Sequence, residues 1–137
     1  MRVGDLLPTL QMDVTQDRID KYAVASGDFN PIHIEAAFGA ASRFGGNIAH
    51  GMMVLAVVSE VMVEVFRTDW VVGGKLKVRF KAPVFPGDMV SANGKIKSIR
   101  EDNGVREVVC SVEVSRQNGE VAIVGEASVP IGIDYCF

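Results

Sequence analysis

The sequence predicts one α+β domain in which an antiparallel sheet wraps around a long, very apolar helix. The first half of the chain has apolar residues at helical spacing and contains the run Gly51–Phe66, which is almost entirely apolar. The second half alternates polar and apolar residues between hairpin signals. Helices followed by a series of strands are typical of the α+β class. Because 137 residues suit one core, the domain is predicted to cover residues 1–137.

The first half is predicted to open with a short strand over residues 10–14, followed by a helix. Thr15 can cap this helix, whose first turn is acidic. The helix is expected to end at Gly27. A loop over residues 28–33 then leads into a short helix over residues 35–42.

The run Gly51–Phe66 is predicted to be a buried helix that starts near His50. Its many valines would suit a strand, but its length favours a helix. Ser59, Glu60 and Glu64 lie near one face at helical spacing, which supports the helix. The two glutamates interrupt the run, and it is too short to span a bilayer comfortably, so no membrane partner is expected.

The second half is predicted to form a meander of long antiparallel strands. Cationic and apolar side chains alternate over residues 75–81 with a period of two. Tight turns are predicted at residues 102–104 and 118–119, because Asn-Gly is a strong hairpin signal. The predicted strands comprise residues 75–81, 89–99, 108–114 and 121–131.

Composition excludes several classes of protein. A net charge of -3 and the lack of a basic run argue against general nucleic-acid binding. Residues 1–5 lack the apolar core of a signal peptide. Cys110 and Cys136 are too few for a disulfide framework and lack zinc-ligand spacing, so both are interpreted as reduced thiols in a cytoplasmic protein.

The most informative polar stretch is residues 26–33, with the sequence SGDFNPIH. It places Asp28 and His33, two acid–base residues, five positions apart on a turn-forming backbone. The chain's other histidine, His50, follows close downstream. A purely structural loop is an alternative, since Asp in a turn often accepts backbone N–H bonds. A rigid loop that carries polar side chains against an apolar wall is, however, the usual construction of a small-molecule site.

Several segments resemble one known family. The resemblance is densest from Tyr22 through residues 26–33 and 48–52, and it extends to residues 78–80 and 83–88. The Gly-Asp-x-Asn-Pro-x-His element is a specific motif, whereas the Pro-Gly-Asp turn is common to many proteins of this fold. On these segments the chain resembles the MaoC-like hot-dog family, the (R)-specific enoyl-CoA hydratases and 3-hydroxyacyl-thioester dehydratases. The resemblance implies a single hot-dog fold over nearly the whole chain.

The resemblance also implies an activity and residues that carry it. The expected activity is that of a hydro-lyase, which reversibly hydrates trans-2-enoyl thioesters of coenzyme A or acyl carrier protein to (R)-3-hydroxyacyl thioesters. By the match, Asp28 and His33 hold the catalytic water. Asn30 is similar to the residue that helps to fix the loop and the substrate, and Ser26 belongs to the same substrate-binding motif. Gly51 resembles the residue whose backbone N–H polarises the thioester carbonyl.

Elementary chemistry agrees with these residue types. One Asp/His pair that shares a water can take a proton from the attacking oxygen and deliver one to the α-carbon. The free N–H groups and positive dipole end of a helix N-terminus can stabilise the enolate-like oxygen. The reaction requires no metal, flavin or nucleotide, and the sequence has no dinucleotide fingerprint or phosphate loop. We therefore expect no cofactor.

His50 and Met52 are two further substrate-binding candidates. His50 could be a ligand or a base, but the favoured interpretation is a first-turn residue that points away from the substrate and bonds to the protein, because His33 already supplies the motif's imidazole. Met52, with Met53 and Leu55, is a candidate determinant of acyl chain length, since one side of the apolar helix would border the acyl tunnel.

The residues leave two other functions open. The first is a non-catalytic hot-dog subunit that binds acyl thioesters within a heteromeric dehydratase. The presence of both Asp28 and His33 argues against it, because binding alone does not need the pair. The second is an acyl thioesterase, although the motif is similar to the hydratase pattern rather than to thioesterase patterns.

The expected partners follow from the same features. The cations at Lys75, Lys77, Arg79 and Lys81 most simply form a solvated strand face, and the alternative is a landing site for coenzyme A phosphates or an acidic carrier protein. An isolated unit would expose an edge strand and an apolar face. We therefore expect a two-fold homodimer or a larger homo-oligomer, with a heterodimer with a related chain as the alternative.

Overall fold

The computed structural model describes residues 1–132, which contain five strands and five helices. Helices come first and long strands follow, as predicted. In chain order the elements are β1 (Leu10–Asp13), α1 (Gln16–Ser26), α2 (Pro31–Ile34), α3 (Ala36–Ala41), α4 (Gly51–Phe66), α5 (Thr68–Gly73), β2 (Lys75–Phe80), β3 (Met89–Asp102), β4 (Val105–Arg116) and β5 (Val121–Ile131).

The five strands form one antiparallel sheet in the order β1-β3-β4-β5-β2. The β3–β4 hairpin closes on Asn103 and Gly104, both of which have positive φ angles. Positive φ at both central residues is the requirement of a type I′ turn, which explains why this Asn-Gly pair is a reliable signal. The extra residue at Lys97 interrupts the register between Ile96 and Ser98 and forms a bulge in β3.

The core lies between α4 and the inward face of the sheet. Glu60 and Glu64 are exposed on α4, as their helical spacing indicates, while the rest of the helix is largely buried. The predicted α+β class is therefore confirmed. The buried residues of α4 are Met53, Val54, Leu55, Val57, Val58, Val61, Met62 and Phe66. The sheet contributes Val90, Ala92, Ile96, Val108, Cys110, Val112, Val114, Ile123, Ala127 and Val129.

Residues 1–132 form this one sheet and one apolar core. The predicted domain over residues 1–137 also includes a C-terminal stretch, with Cys136, that lies outside the described residues. Cys110 is a free, buried cysteine. Within the described part of the chain, none of the helices has the length and apolar character that a membrane crossing requires.

Two helices differ from the sequence-based prediction. The sequence predicts a loop over residues 28–33, but α2 occupies the second half of that segment. The helix forms because Asn30 caps it and Pro31 fits its first position. The short helix α5 was not predicted. It forms because Trp70 packs into the core and its indole N–H donates to Ser59 Oγ at 2.9 Å, a tertiary contact with no local signature.

Candidate active site

The loop that carries Asp28 begins where α1 ends. Gly27 adopts a left-handed conformation with φ 76°, and its N–H donates to Ala23 O at 2.9 Å, which terminates the helix. The Asp28 N–H then donates to Ser26 Oγ at 3.2 Å. The Asn30 N–H donates to Asp28 Oδ1 at 3.1 Å. One carboxylate oxygen is thus held by the loop itself.

Helix α2 positions His33. Asn30 Oδ1 accepts the N–H of Ile32 at 3.0 Å and so caps the helix. At the other end, the Asn47 side-chain amide donates to the carbonyls of Ile32 (3.0 Å) and Glu35 (2.9 Å). The predicted role of Asn30 in fixing the loop therefore has a physical basis, and Asn47 has a supporting position that the sequence did not indicate.

His33 faces Asp28 across a short gap. His33 Nδ1 donates to the carbonyl of Ile48 at 2.7 Å, because a carbonyl can only accept. In the neutral imidazole this leaves a lone pair on Nε2, which lies 3.8 Å from Asp28 Oδ2. The Asp28 side chain is 53% exposed, whereas that of His33 is largely buried. The two groups are therefore close together without a direct hydrogen bond.

His50 lies against this pair. It is the N-cap residue of α4, which begins at Gly51, rather than a residue of its first turn. Its ring stacks on that of His33, with centroids 3.9 Å apart and an angle of 24° between the planes. The Tyr22 ring packs against His50 at a tilt of 56°, with centroids 4.8 Å apart. His50 Nε2 donates to the Asp28 carbonyl at 3.0 Å. The expected bond to the protein is present, but the ring packs against His33 and the backbone of Asp28 rather than apart from them.

Asp28, His33 and His50 form the one group of three ligand-type side chains that come close enough to share a metal ion in residues 1–132, with ligand atoms within 4.8 Å of one another. The stacking is unsuited to a shared ion, because nearly parallel rings direct their lone pairs along nearly parallel planes. The arrangement favours acid–base chemistry over metal binding.

The N-terminus of α4 lies next to these side chains. The N–H groups of Gly51 and Met52 have no hydrogen-bond partner in the part of the chain that the structure describes. They belong to a helix of 16 residues, so the positive end of its dipole adds to their attraction for an anionic oxygen. Sequence adjacency links this terminus to the pair, because residues 48–51 include the carbonyl that holds His33.

A pocket of about 350 Å³ opens beside Gly51. Ile48, Val54 and Phe80 are among its apolar lining residues, and the cations Arg43 and Lys81 also line it. The Phe80 ring lies directly over Gly51, since a Cβ added there would come within 2.9 Å of its Cε1 atom. Phe80 was not predicted to belong to the site.

The predicted chain-length residues do not line this pocket. Met52 is 60% exposed, whereas Met53 and Leu55 belong to the buried core. Lys75, Lys77, Arg79 and Lys81 are exposed, as a solvated strand face requires.

The predicted Pro-Gly-Asp turn is held by a buried ion pair. Asp88 is 5% exposed and accepts from Arg116 Nε at 2.8 Å and Nη2 at 3.1 Å. The side chain of Gln117 and the N–H of Phe85 also donate to it at 2.8 Å. Burial by itself raises the pKa of Asp88, but these hydrogen bonds and the Arg116 charge bring it below its ordinary value. This cluster has a structural function.

Known proteins resemble this chain in both sequence and fold. Residues 4–118 match the MaoC-like domain. The (R)-specific enoyl-CoA hydratase of Aeromonas caviae is 32% identical over 110 residues, which cover 80% of this chain and 81% of the relative. The 3-hydroxyacyl-thioester dehydratase Z of Mycobacterium tuberculosis is 33% identical over 122 residues, which cover 85% of this chain and 81% of the relative.

The solved structure of the A. caviae (R)-hydratase involved in PHA biosynthesis superposes on this fold with a TM-score of 0.81. It is 30% identical in sequence, and the match covers 94% of this chain and 96% of that one. The hot-dog fold predicted from the resemblance is confirmed. This protein belongs to the MaoC-like domain family.

Proposed function

We propose that this protein catalyses the reversible hydration of trans-2-enoyl thioesters to (R)-3-hydroxyacyl thioesters, with Asp28 and His33 as the acid–base pair. The observation that carries the proposal is the gap of 3.8 Å between His33 Nε2 and Asp28 Oδ2. The other polar atom of each side chain, His33 Nδ1 and Asp28 Oδ1, is hydrogen-bonded to the protein backbone. Relatives that are named as an (R)-specific enoyl-CoA hydratase and a 3-hydroxyacyl-thioester dehydratase support the reaction type.

The gap suits one water molecule. A water oxygen can lie about 2.8 Å from both atoms at once, which is ordinary hydrogen-bond geometry. In hydration, one O–H bond of this water breaks as its oxygen bonds to the β-carbon, and the π electrons move toward the thioester carbonyl. A proton then bonds to the α-carbon as the carbonyl re-forms. Asp28 and His33 share these two transfers, and as a coupled pair they act as one unit.

The enolate-like oxygen needs donors. The backbone N–H of Gly51 has this role in the proposal, and the neighbouring N–H of Met52 is also free in the described part of the chain. Preorganised donors of this kind contribute about 100- to 1,000-fold to the rate in comparable oxyanion sites. Phe80 and the pocket beside Gly51 would lie along the substrate and keep water from the thioester.

A two-fold homodimer is part of the proposal, with larger homo-oligomers compatible with it. β1 and β2 are the edge strands of the sheet and are open to pairing. Phe29, Met52 and Phe80 are all more than half exposed beside the site. A second copy would cover these side chains and shield the exposed Asp28 carboxylate from bulk water. Sedimentation should give a dimer or larger species, and a stable folded monomer would contradict the proposal.

The decisive experiment uses crotonyl-CoA and the purified chain. We expect the enoyl-thioester absorbance to fall without release of free thiol, and chiral analysis to give the (R)-3-hydroxy product. Thiol release would instead identify a thioesterase. No change in either signal would favour a non-catalytic subunit of a heteromeric dehydratase, and an (S) product would overturn the stereochemical part.

The proposal includes three further points: the reaction needs no cofactor, the protein is cytoplasmic, and the acyl group is carried by either coenzyme A or acyl carrier protein. Parallel assays with crotonyl-CoA and the crotonyl carrier protein would decide the last one. The ratio of the two kcat/KM values measures the preference directly.

A further inference from the structure

His50 is buried, with 3% of its surface exposed, yet one of its polar atoms has no partner. Its Nε2 hydrogen is used on the Asp28 carbonyl, so in the neutral ring Nδ1 has a lone pair. No atom of residues 1–132 donates to that nitrogen. A buried polar atom without a hydrogen bond costs free energy, and an apolar ring of similar size would avoid the cost. Core packing alone therefore does not explain a histidine here.

The other contacts of His50 suggest the reason. Its ring stacks on His33 at 3.9 Å, and its Nε2–H holds the backbone of Asp28 at 3.0 Å. These are the two residues of the acid–base pair, and no other side chain in the described residues makes both contacts. The loop and the short helix α2 also join Asp28 to His33 along the chain, and Gln16 of α1 donates to the His33 carbonyl at 2.8 Å.

We propose that His50 is a positioning residue, whose stacked and hydrogen-bonded ring sets the distance between Asp28 Oδ2 and His33 Nε2. This inference rests on the proposed function of the pair. The stack limits where the His33 ring can lie, and the bond to the Asp28 carbonyl limits where its carboxylate can lie. Since His50 is the N-cap of α4, it also ties the pair to the helix whose N-terminus carries the Gly51 donor.

Three variants separate the two contacts. His50→Phe keeps an aromatic ring but loses the donor, His50→Gln keeps a donor but loses the ring, and His50→Leu loses both. We expect His50→Leu to lower kcat by about 10- to 100-fold, because a displacement of about 1 Å can cost 100-fold. KM should change by less than about 3-fold, since the His50 side chain is buried and does not line the pocket beside Gly51. The Phe and Gln variants should each lose less than the Leu variant.

A double-variant comparison distinguishes positioning from general destabilisation. In an Asp28→Asn background the pair no longer acts as a unit, so His50→Leu should cost less than about 3-fold there. Val58→Ala is the matched control, because it removes buried volume from α4 away from the site and should lower Tm while leaving kcat unchanged. An equal loss in both backgrounds, or wild-type kcat in His50→Leu, would overturn the proposal. A loss in His50→Leu that exceeds about 1,000-fold and equals the loss in Asp28→Asn would place His50 in the chemistry itself and would also overturn it.

A second measurement does not depend on activity. The chain has two histidines, so each His50 variant leaves His33 as the only imidazole in nitrogen NMR spectra. We expect His33 to show the Nδ1–H tautomer in the native protein and in His50→Phe, where the stacked ring stays against the Ile48 carbonyl. In His50→Leu we expect mixed tautomers, because the unstacked ring can turn away from that carbonyl. An unchanged His33 pattern in His50→Leu would contradict the positioning role. A native protein without hydration activity would remove the proposed function, while these spectra would still decide whether His50 positions His33.

Discussion

His33 Nε2 lies 3.8 Å from Asp28 Oδ2, and each side chain is held in place through its other polar atom. Asp28 Oδ1 accepts the N–H of Asn30, and His33 Nδ1 donates to the carbonyl of Ile48. The two atoms that face each other are therefore the two that are free to act. The backbone bonds thus orient the carboxylate and the imidazole while Asp28 Oδ2 and His33 Nε2 stay available to a substrate or a water molecule.

Removing either reactive atom should abolish most of the activity. Asp28→Asn keeps the shape of the side chain but weakens it as a base, and His33→Ala removes the other contact with the water. Each should lower the hydration rate at least about 100-fold, the lower range for acid–base catalysis. Steady-state kinetics with crotonyl-CoA measures the loss, and circular dichroism checks that the fold is retained.

The pair should behave as one unit. The double variant of Asp28 and His33 is expected to be little worse than the worse single variant, because loss of either partner already disables the shared water. Multiplied losses would show that the two residues act independently. Near-normal turnover in either single variant would refute their assignment.

Position 51 should tolerate only glycine. Gly51→Val is expected to lower the rate by about 100-fold or more, since a side chain there meets the Phe80 ring and moves the oxyanion donor off its line. A Cβ at position 51 would lie 2.9 Å from Phe80 Cε1, which is too close for an undisturbed contact. Kinetics of the purified variant, with circular dichroism as the check on folding, measures this effect.

Two companion variants sharpen this prediction. Gly46→Ala is the matched control, because an added Cβ there meets open space. It should keep near-native activity. Gly51→Ala should also lower the rate, and adding Phe80→Leu to Gly51→Ala should recover part of that loss. The leucine side chain is smaller than the phenylalanine ring and can move away from the added methyl group. Native activity in Gly51→Val would show that the α4 terminus is not the oxyanion site.

The sequence predicted the elements that depend on local signals. The apolar run of α4, the alternation in β2 and the Asn103–Gly104 turn each have a period or a backbone requirement that a single chain displays. The proximity of Asp28 and His33 also depends on local signals. Gly27 ends α1 directly before Asp28, and Asn30 caps α2 between Asp28 and His33, so local backbone geometry brings the two residues together.

The parts that could not be predicted depend on packing between distant segments. The Ile48 carbonyl that orients His33 has no side-chain signature, because every residue has a carbonyl. Phe80 reaches Gly51 only because the end of β2 comes to the start of α4. His50 was correctly expected to bond to the protein, but its stacking on His33 depends on how α2 and α4 meet.

The buried thiol of Cys110 should be unreactive in the folded protein. Burial raises the pKa of Cys110 to about 11, so the reactive thiolate is scarce at neutral pH. The side chain is also fully buried in the apolar core, where a reagent cannot reach the sulfur. In a Cys136→Ser variant, a thiol reagent such as DTNB should label no thiol in the native protein and one thiol in denaturant. Stoichiometric labelling without denaturant would show that the core around β4 opens readily.

The Asp88–Arg116 pair should be a main source of stability outside the apolar core. Asp88→Asn removes the buried partner of Arg116, but the Arg116 side chain is 17% exposed and still pairs with Glu120 at 2.9 Å, so we expect a loss of about 1–3 kcal/mol. Urea unfolding at neutral pH measures the loss. Asp17→Asn is the control, because Asp17 pairs with Lys21 on an exposed face, where such pairs contribute no more than about 1 kcal/mol.

The same pair predicts how stability depends on pH. The pKa of Asp88 is lowered in the folded protein, whereas an unfolded aspartate titrates near about 3.9. The unfolded state therefore binds the proton first as pH falls, so the contribution of Asp88 is fully present above about pH 5 and is lost as pH falls through its folded pKa. Unfolding curves from about pH 6 to about pH 3 should show a steeper loss of stability for the native protein than for Asp88→Asn. Parallel curves for the two proteins would mean that the Asp88 carboxylate is not preferentially ionised in the fold.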